Sequence, residues 1–104
     1  MSVVVIWESK FTSEDAGAGL DLTRAIWRDM RAFDGYVGHE LLVDDDEPGH
    51  LLVISRWTSR EHANASLRTY ASHPNVAQVN QLVCEPRRRI VAVVTDRGLP
   101  DSEP

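Results

Sequence analysis

The chain has 104 residues, room for one domain and not two. Hydrophobic residues make up 42% and charged residues 26%, the balance of a folded domain and not of a disordered segment. Eleven Lys and Arg stand against sixteen Asp and Glu, a net charge of -5, which argues against nucleic acid as a partner because phosphate contacts call for a basic surplus. The single cysteine, Cys84, leaves no intrachain disulfide and no multi-cysteine zinc site, and reads as structural. No apolar stretch approaches the roughly 20 residues of a membrane span. The N-terminus has no secretory pattern, so no membrane association and a cytoplasmic location are expected.

Val3-Val4-Val5-Ile6-Trp7 is β-branched and aromatic and predicts a strand. The polar stretch 11–19, with two glycines, reads as a loop or a weak helix start. From Leu20 to Phe33 the apolar residues Leu22, Ile26, Met30 and Phe33 recur at helical spacing, and Trp27 widens the stripe. Asp34-Gly35 closes that helix. Tyr36 to Val43 predicts a second strand. The acidic run Asp44 to Glu47 with Pro48-Gly49 reads as a solvated hairpin tip, since it lacks the alternating ligands of a calcium loop. Leu51 to Trp57 is the third strand. Thr58, three residues before Glu61, suggests a capping box for a helix with Ala63, Leu67 and Tyr70 or Ala71 as its buried stripe. Pro74 interrupts it, Val76, Val79, Leu82 and Val83 extend it, and Pro86 stops it. Arg87-Arg88-Arg89 reads as the solvated entrance to a last strand, Ile90 to Val94. A domain over 1–96 and a polar tail over 97–104 are expected.

The order β-α-β-β-α-β predicts an α+β, ferredoxin-like split βαβ fold with one antiparallel sheet. Its strands are apolar on both faces: Val3 to Trp7, Leu51 to Ile54 and Ile90 to Val94. Two helices cover one face only. A second copy of the sheet is the economical cover for the other, so a two-fold homodimer with facing sheets is expected.

The stretch Gly35-Tyr36-Val37-Gly38-His39-Glu40-Leu41-Leu42, an acidic turn, and then Leu51-Leu52-Val53-Ile54-Ser55-Arg56-Trp57-Thr58-Ser59-Arg60-Glu61 resembles the antibiotic biosynthesis monooxygenase domain family. Members typically carry a glycine-aromatic turn into the second strand and a tryptophan closing the third, followed by a capped helix. The resemblance spans residues 2 to 95 in element order and is sharpest from Gly35 to Glu61. It implies a dimeric α+β barrel with a pocket between sheet and helices. It also implies oxidation of anthrone- or quinol-like aromatics by dioxygen, with no metal and no other cofactor. Some members cleave haem and others have no established catalysis. Anchored on Pro74, the haem-degrading members' tryptophan position falls on Tyr70 and their histidine on Asn80, which disfavours haem ligation. The tyrosine of anthrone-oxidising members falls on Ala63.

Candidate site residues follow. Trp57 is expected in or beside the pocket, with core packing as its other role. Tyr70 offers a hydroxyl to a substrate oxygen. His39 shares strand parity with Val37, Leu41 and Val43, so it reads as lying on a covered face and suits proton abstraction. His62, in the first turn of the capped helix, is a second candidate base if it points inward. His73, before Pro74, is placed at the pocket mouth. Trp7 and Trp27 add aromatic surface for a flat substrate. The four scattered histidines do not make a metal site. The expected function is a cofactor-independent monooxygenase for a phenolic, quinol or anthrone-like substrate. A non-catalytic small-ligand-binding or stress-response protein, and a haem-binding member with unusual ligation, are the alternatives.

Overall fold

The computed structural model describes residues 2–98 and 100. Four strands and three helices follow in the order β1 (Val3–Lys10), α1 (Ala16–Met30), β2 (Tyr36–Val43), β3 (His50–Trp57), α2 (Arg60–Tyr70), α3 (Pro74–Leu82) and β4 (Arg88–Val93). The strands form one sheet in the order β2-β3-β1-β4, every pairing antiparallel. This is the ferredoxin-like α+β fold, its second helix split in two. The expected polar tail lies largely outside the described residues.

β1 is the β-branched run, and its side chains pack between neighbours on both edges. Strand periodicity divides the sheet. Val3, Val5 and Ser9 of β1 and Leu51, Val53, Ser55 and Trp57 of β3 are buried under the helices. Trp57 is 1% exposed, and its indole N–H donates to Ser55 Oγ at 3.0 Å. Ser55 Oγ in turn donates to the Val5 carbonyl at 3.2 Å, so a buried polar chain ties β3 to β1.

α1 starts four residues before Leu20, and its buried stripe is Gly19, Thr23, Ile26, Trp27 and Met30. Thr23 fits that apolar stripe because its hydroxyl donates to the Gly19 carbonyl at 2.7 Å. Gly35, at φ +84°, makes the turn into β2, and a Cβ there would strike the His62 side chain. The expected Thr58–Glu61 capping box is displaced by one residue. The Thr58 N–H donates to the Gly35 carbonyl at 2.8 Å and stays with the strand end, while Ser59 caps α2 by accepting from the His62 N–H. Pro74 opens α3, and His73 before it is held extended, as a residue preceding proline prefers.

Candidate functional site

The helices do not fill the space above the sheet. A cavity of about 210 Å³ lies between the inner faces of β1, β3 and β4 and the three helices. Trp7, Trp27 and Trp57 contribute three indoles to its wall, with Val5, Val53, Ile26 and Met30 between them. Ser9, Thr23, Ser66, Tyr70 and Asn80 supply uncharged polar groups. Among the described residues the charged groups of the wall are Arg87 and Arg89, with no Asp, Glu or His.

The expected aromatic positions therefore meet in one chamber: Trp57, Tyr70, Trp7 and Trp27 all line it. Tyr70 is buried, and its hydroxyl donates to Asp29 Oδ2 at 2.6 Å. Burial, then the hydrogen bond to Asp29, pushes the Tyr70 hydroxyl up to about 12, so it stays protonated at neutral pH. The Tyr70 ring stacks on His73 with centroids 4.5 Å apart and planes 8° apart. His73 Nε2 is 3.9 Å from the same Asp29 oxygen, and its Nδ1 accepts from the Asn75 N–H. His73 thus backs Tyr70 from outside the cavity wall.

The other two candidate histidines, His39 and His62, stand apart from the cavity wall. A β-bulge between Tyr36 and Gly38 takes Val37 out of register, and Val37 is exposed. His39 lies opposite Ser55 on the helix-covered side, with Leu41 opposite Val53. Its ring sits 5.4 Å from the Trp27 ring, and its Nδ1 shares a 2.5 Å hydrogen bond with the Tyr36 hydroxyl. It forms a layer behind the indole. Burial, with Arg31 adding a like charge, pulls its pKa down, so the imidazole is neutral. His62 is exposed, with Nδ1 2.8 Å from Ser59 Oγ, and it packs over the Gly35 turn.

Sequence reasoning missed the arginines. Read along the chain, Arg87-Arg88-Arg89 is a uniform solvated run, but strand alternation sorts it. Arg88 pairs with Glu8 on the outer face, and Arg87 and Arg89 turn into the cavity. Arg87 lies over the Trp7 ring at 4.5 Å and its Nε donates to Asn80 Oδ1 at 2.9 Å. Arg89 lies 5.9 Å from the same ring, and its Nη2 donates to Asn64 Oδ1 at 3.0 Å. Arg89 Nε is buried and, among the described residues, has no hydrogen-bond partner. An orphaned buried donor of this kind costs about 1–3 kcal/mol. Burial lowers the pKa of both guanidiniums, and Arg60 adds a like charge beside Arg89. Both remain cationic at neutral pH. The signal available in the sequence was the two-residue spacing of Arg87, Arg89 and Val91, which shares one strand face.

A second cluster lies on the outer side of the sheet. Asp44, Glu47 and His50 bring ligand-type atoms within 4.8 Å of one another. His50 Nδ1 is 2.8 Å from Asp44 and Nε2 is 2.6 Å from Glu8. The protonated imidazole donates from both nitrogens, one to each carboxylate, and this pairing favours the protonated form. Accordingly its pKa is raised by Asp44 and Glu8, and theirs are lowered by His50.

A split βαβ sheet whose helices enclose an aromatic chamber is an α+β domain of the ferredoxin-like class. The chain belongs to the antibiotic biosynthesis monooxygenase family, whose profile matches residues 2–75. The matched segment carries the three indoles and Tyr70 and stops before Asn80, Arg87 and Arg89. Among solved structures it is similar to SnoaB, a cofactor-independent oxygenase from Streptomyces nogalater, at a TM-score of 0.83 and 15% identity, covering 96% of this chain and 98% of that one. It is also similar to Rv0793 from Mycobacterium tuberculosis, at a TM-score of 0.78 and 24% identity, covering 95% and 100%. An antibiotic biosynthesis monooxygenase aligns at a TM-score of 0.81 and 20% identity, covering 90% and 99%. At these identities the likeness is one of fold. None of the curated proteins matches the sequence significantly. Among the described residues, no helix is long and apolar enough to cross a membrane.

Proposed function

We propose that the cavity is the active site of a cofactor-independent monooxygenase that oxidises a phenolic, quinol or anthrone-like aromatic with dioxygen. The observation that carries this reading is the chamber itself: three indoles and a protonated tyrosine around a void of about 210 Å³, in a chain of this family. Flat indole faces hold a flat ring. The chemistry asks little more of the protein. Loss of a proton makes the substrate an electron-rich anion, which passes one electron to dioxygen. The resulting pair combines as a peroxide, and cleavage of its O–O bond leaves a carbonyl and water. One CH₂ and one O₂ are consumed for each C=O and H₂O formed.

Tyr70 is the catalytic residue of this scheme, and Trp57, Trp7 and Trp27 are the substrate-binding ones. With its own proton directed to Asp29, the Tyr70 hydroxyl can accept the substrate's proton as it passes its own on. His73 steadies that pair. His39 and His62, which stand off the cavity wall, are not needed for proton transfer. The apolar outer residues Val4, Ile6, Leu52 and Ile54 support a homodimer through the outer sheet face.

The test is oxygen uptake with a panel of anthrones and quinols. Wild-type protein consumes oxygen, and Tyr70→Phe slows turnover about 100- to 10,000-fold, the range for losing a positioned proton-transfer group. Asp29→Asn slows it in the same direction, and His39→Ala and His62→Ala retain it. Binding across the panel without turnover favours a non-catalytic ligand-binding role.

A further inference from the structure

The cavity's charge is more specific than its shape. Two guanidiniums enter it, Arg89 from β4 and Arg87 from just before that strand, both within about 6 Å of the Trp7 ring. Their protein partners are the neutral amides of Asn80 and Asn64. Among the described residues no carboxylate pairs with either one, although the chain as a whole has a net charge of -5. The opposite arrangement holds outside, where Arg88 and Arg56 each have a carboxylate. Cations turned into a chamber without counter-charges, one with a buried unused donor, form half of a recognition site.

We propose that the natural ligand carries a carboxylate, and that Arg89 and Arg87 select it. The carboxylate takes the free Nε–H of Arg89 and the flanking guanidinium of Arg87, while the attached ring lies against Trp7 and the indoles beyond. An apolar cavity of about 150 Å³ accommodates benzene. At about 210 Å³, this one suits a substituted single ring or a fused pair. The ligand class is therefore a hydroxylated one- or two-ring aromatic acid. This rests on the reading of the cavity as a substrate chamber, and it narrows the substrate of that reading to an acid of one or two rings in place of a three-ring anthrone. Arg87 and Arg89 lie beyond the segment matched by the family profile.

Titration calorimetry under anaerobic conditions tests it with 1-hydroxy-2-naphthoate and its uncharged primary amide. The carboxylate is expected to bind at least about tenfold more tightly, the worth of a charge-assisted hydrogen bond. Arg89→Gln is expected to erase that preference and leave the amide within about threefold. Arg87→Gln is expected to reduce the preference by a smaller factor. Arg89→Lys, which keeps the charge and loses the fork, is expected to fall between Arg89→Gln and wild type. If Arg89→Gln fails to fold, as read by circular dichroism, Arg87→Gln and Arg89→Lys carry the test. Equal affinity for acid and amide overturns the proposal, as does an undiminished preference in the folded variants or no binding of either probe at millimolar concentration. Oxygen uptake plays no part in this readout. Charge selectivity without turnover would therefore keep the ligand class and sink the monooxygenase, and turnover without selectivity would do the reverse.

Discussion

The two faces of the sheet are built from the same kinds of residue and differ in how they treat charge. On the outer face each described charge has an opposite neighbour. Arg88 lies 3.6 Å from Glu8, Glu8 2.6 Å from His50, His50 2.8 Å from Asp44, and Arg56 3.4 Å from Glu40. Such pairs on a half-exposed surface contribute little each and set no chemical task. On the inner face Arg87 and Arg89 point into a chamber that has no acidic side chain among the described residues. A fold tolerates unpaired cations at such a place when something else supplies the anion. Under the proposed function, the difference separates a surface that packs from a surface that binds.

The sharpest way to break this comparison is to put one carboxylate on each face, using adjacent residues. Val53 is 3% exposed beneath the helices, and Ile54 points the other way. Val53→Asp buries an unpaired carboxylate, a cost large against the about 5–15 kcal/mol that holds a domain together. No folded protein is expected, as read by circular dichroism. Ile54→Asp leaves the inner face intact and charges the apolar outer one. The expected product is folded, with its light-scattering mass halved from dimer to monomer. Equal damage from both substitutions would erase the distinction between the faces.

Next in size is Trp57→Ala. It removes the most enclosed large side chain of the inner face and the donor to Ser55. A loss of about 3–5 kcal/mol in denaturant unfolding is expected. The cavity gains volume, so added small aromatics are expected to restore part of the lost stability.

The smallest effect belongs to the outer charge ladder. His50, its pKa raised from 6.5 by Asp44 and Glu8, stabilises the fold fully below pH 6.5. That contribution is lost as pH rises through the raised folded value. Glu8 and Asp44 have pKa values lowered from 4.5 and 3.8. Their contribution is present above those values and is lost as pH falls through the lowered ones. A stability plateau between about pH 4.5 and 6.5 is therefore expected in melting curves. His50→Gln should flatten the decline above it. A His50→Gln profile identical to wild type from pH 6 to 9 would show that the ladder carries no linkage.

Much of the fold was legible because it is written in periodicities. The β-branched run of Val3 to Ile6, the helical stripe through Ile26 and Met30, and the breaks at Gly35 and Pro74 determine the element order. The apolar character of both strand faces also follows from the sequence. So does the placement of Trp57 and Tyr70 on one chamber, because a strand end and the helix after it adjoin in this topology. Parity is where local reading fails. One bulge at Tyr36–Gly38 resets which residues share a face with His39, and nothing in the composition of that stretch announces it. Ser59 takes the cap expected of Thr58 because the Thr58 N–H is already engaged by Gly35 across the sheet end.

What the sequence determined, then, is the sheet, its helices and a store of aromatic residues over one face. Only the tertiary structure decided that the helices stop short of filling that face and leave a chamber. It also decided which arginines of Arg87-Arg88-Arg89 enter. The reason is registry: Trp7 pairs with Arg89 and Glu8 with Arg88. Three identical side chains in a row thus acquire opposite surroundings from hydrogen bonds to a strand about eighty residues away.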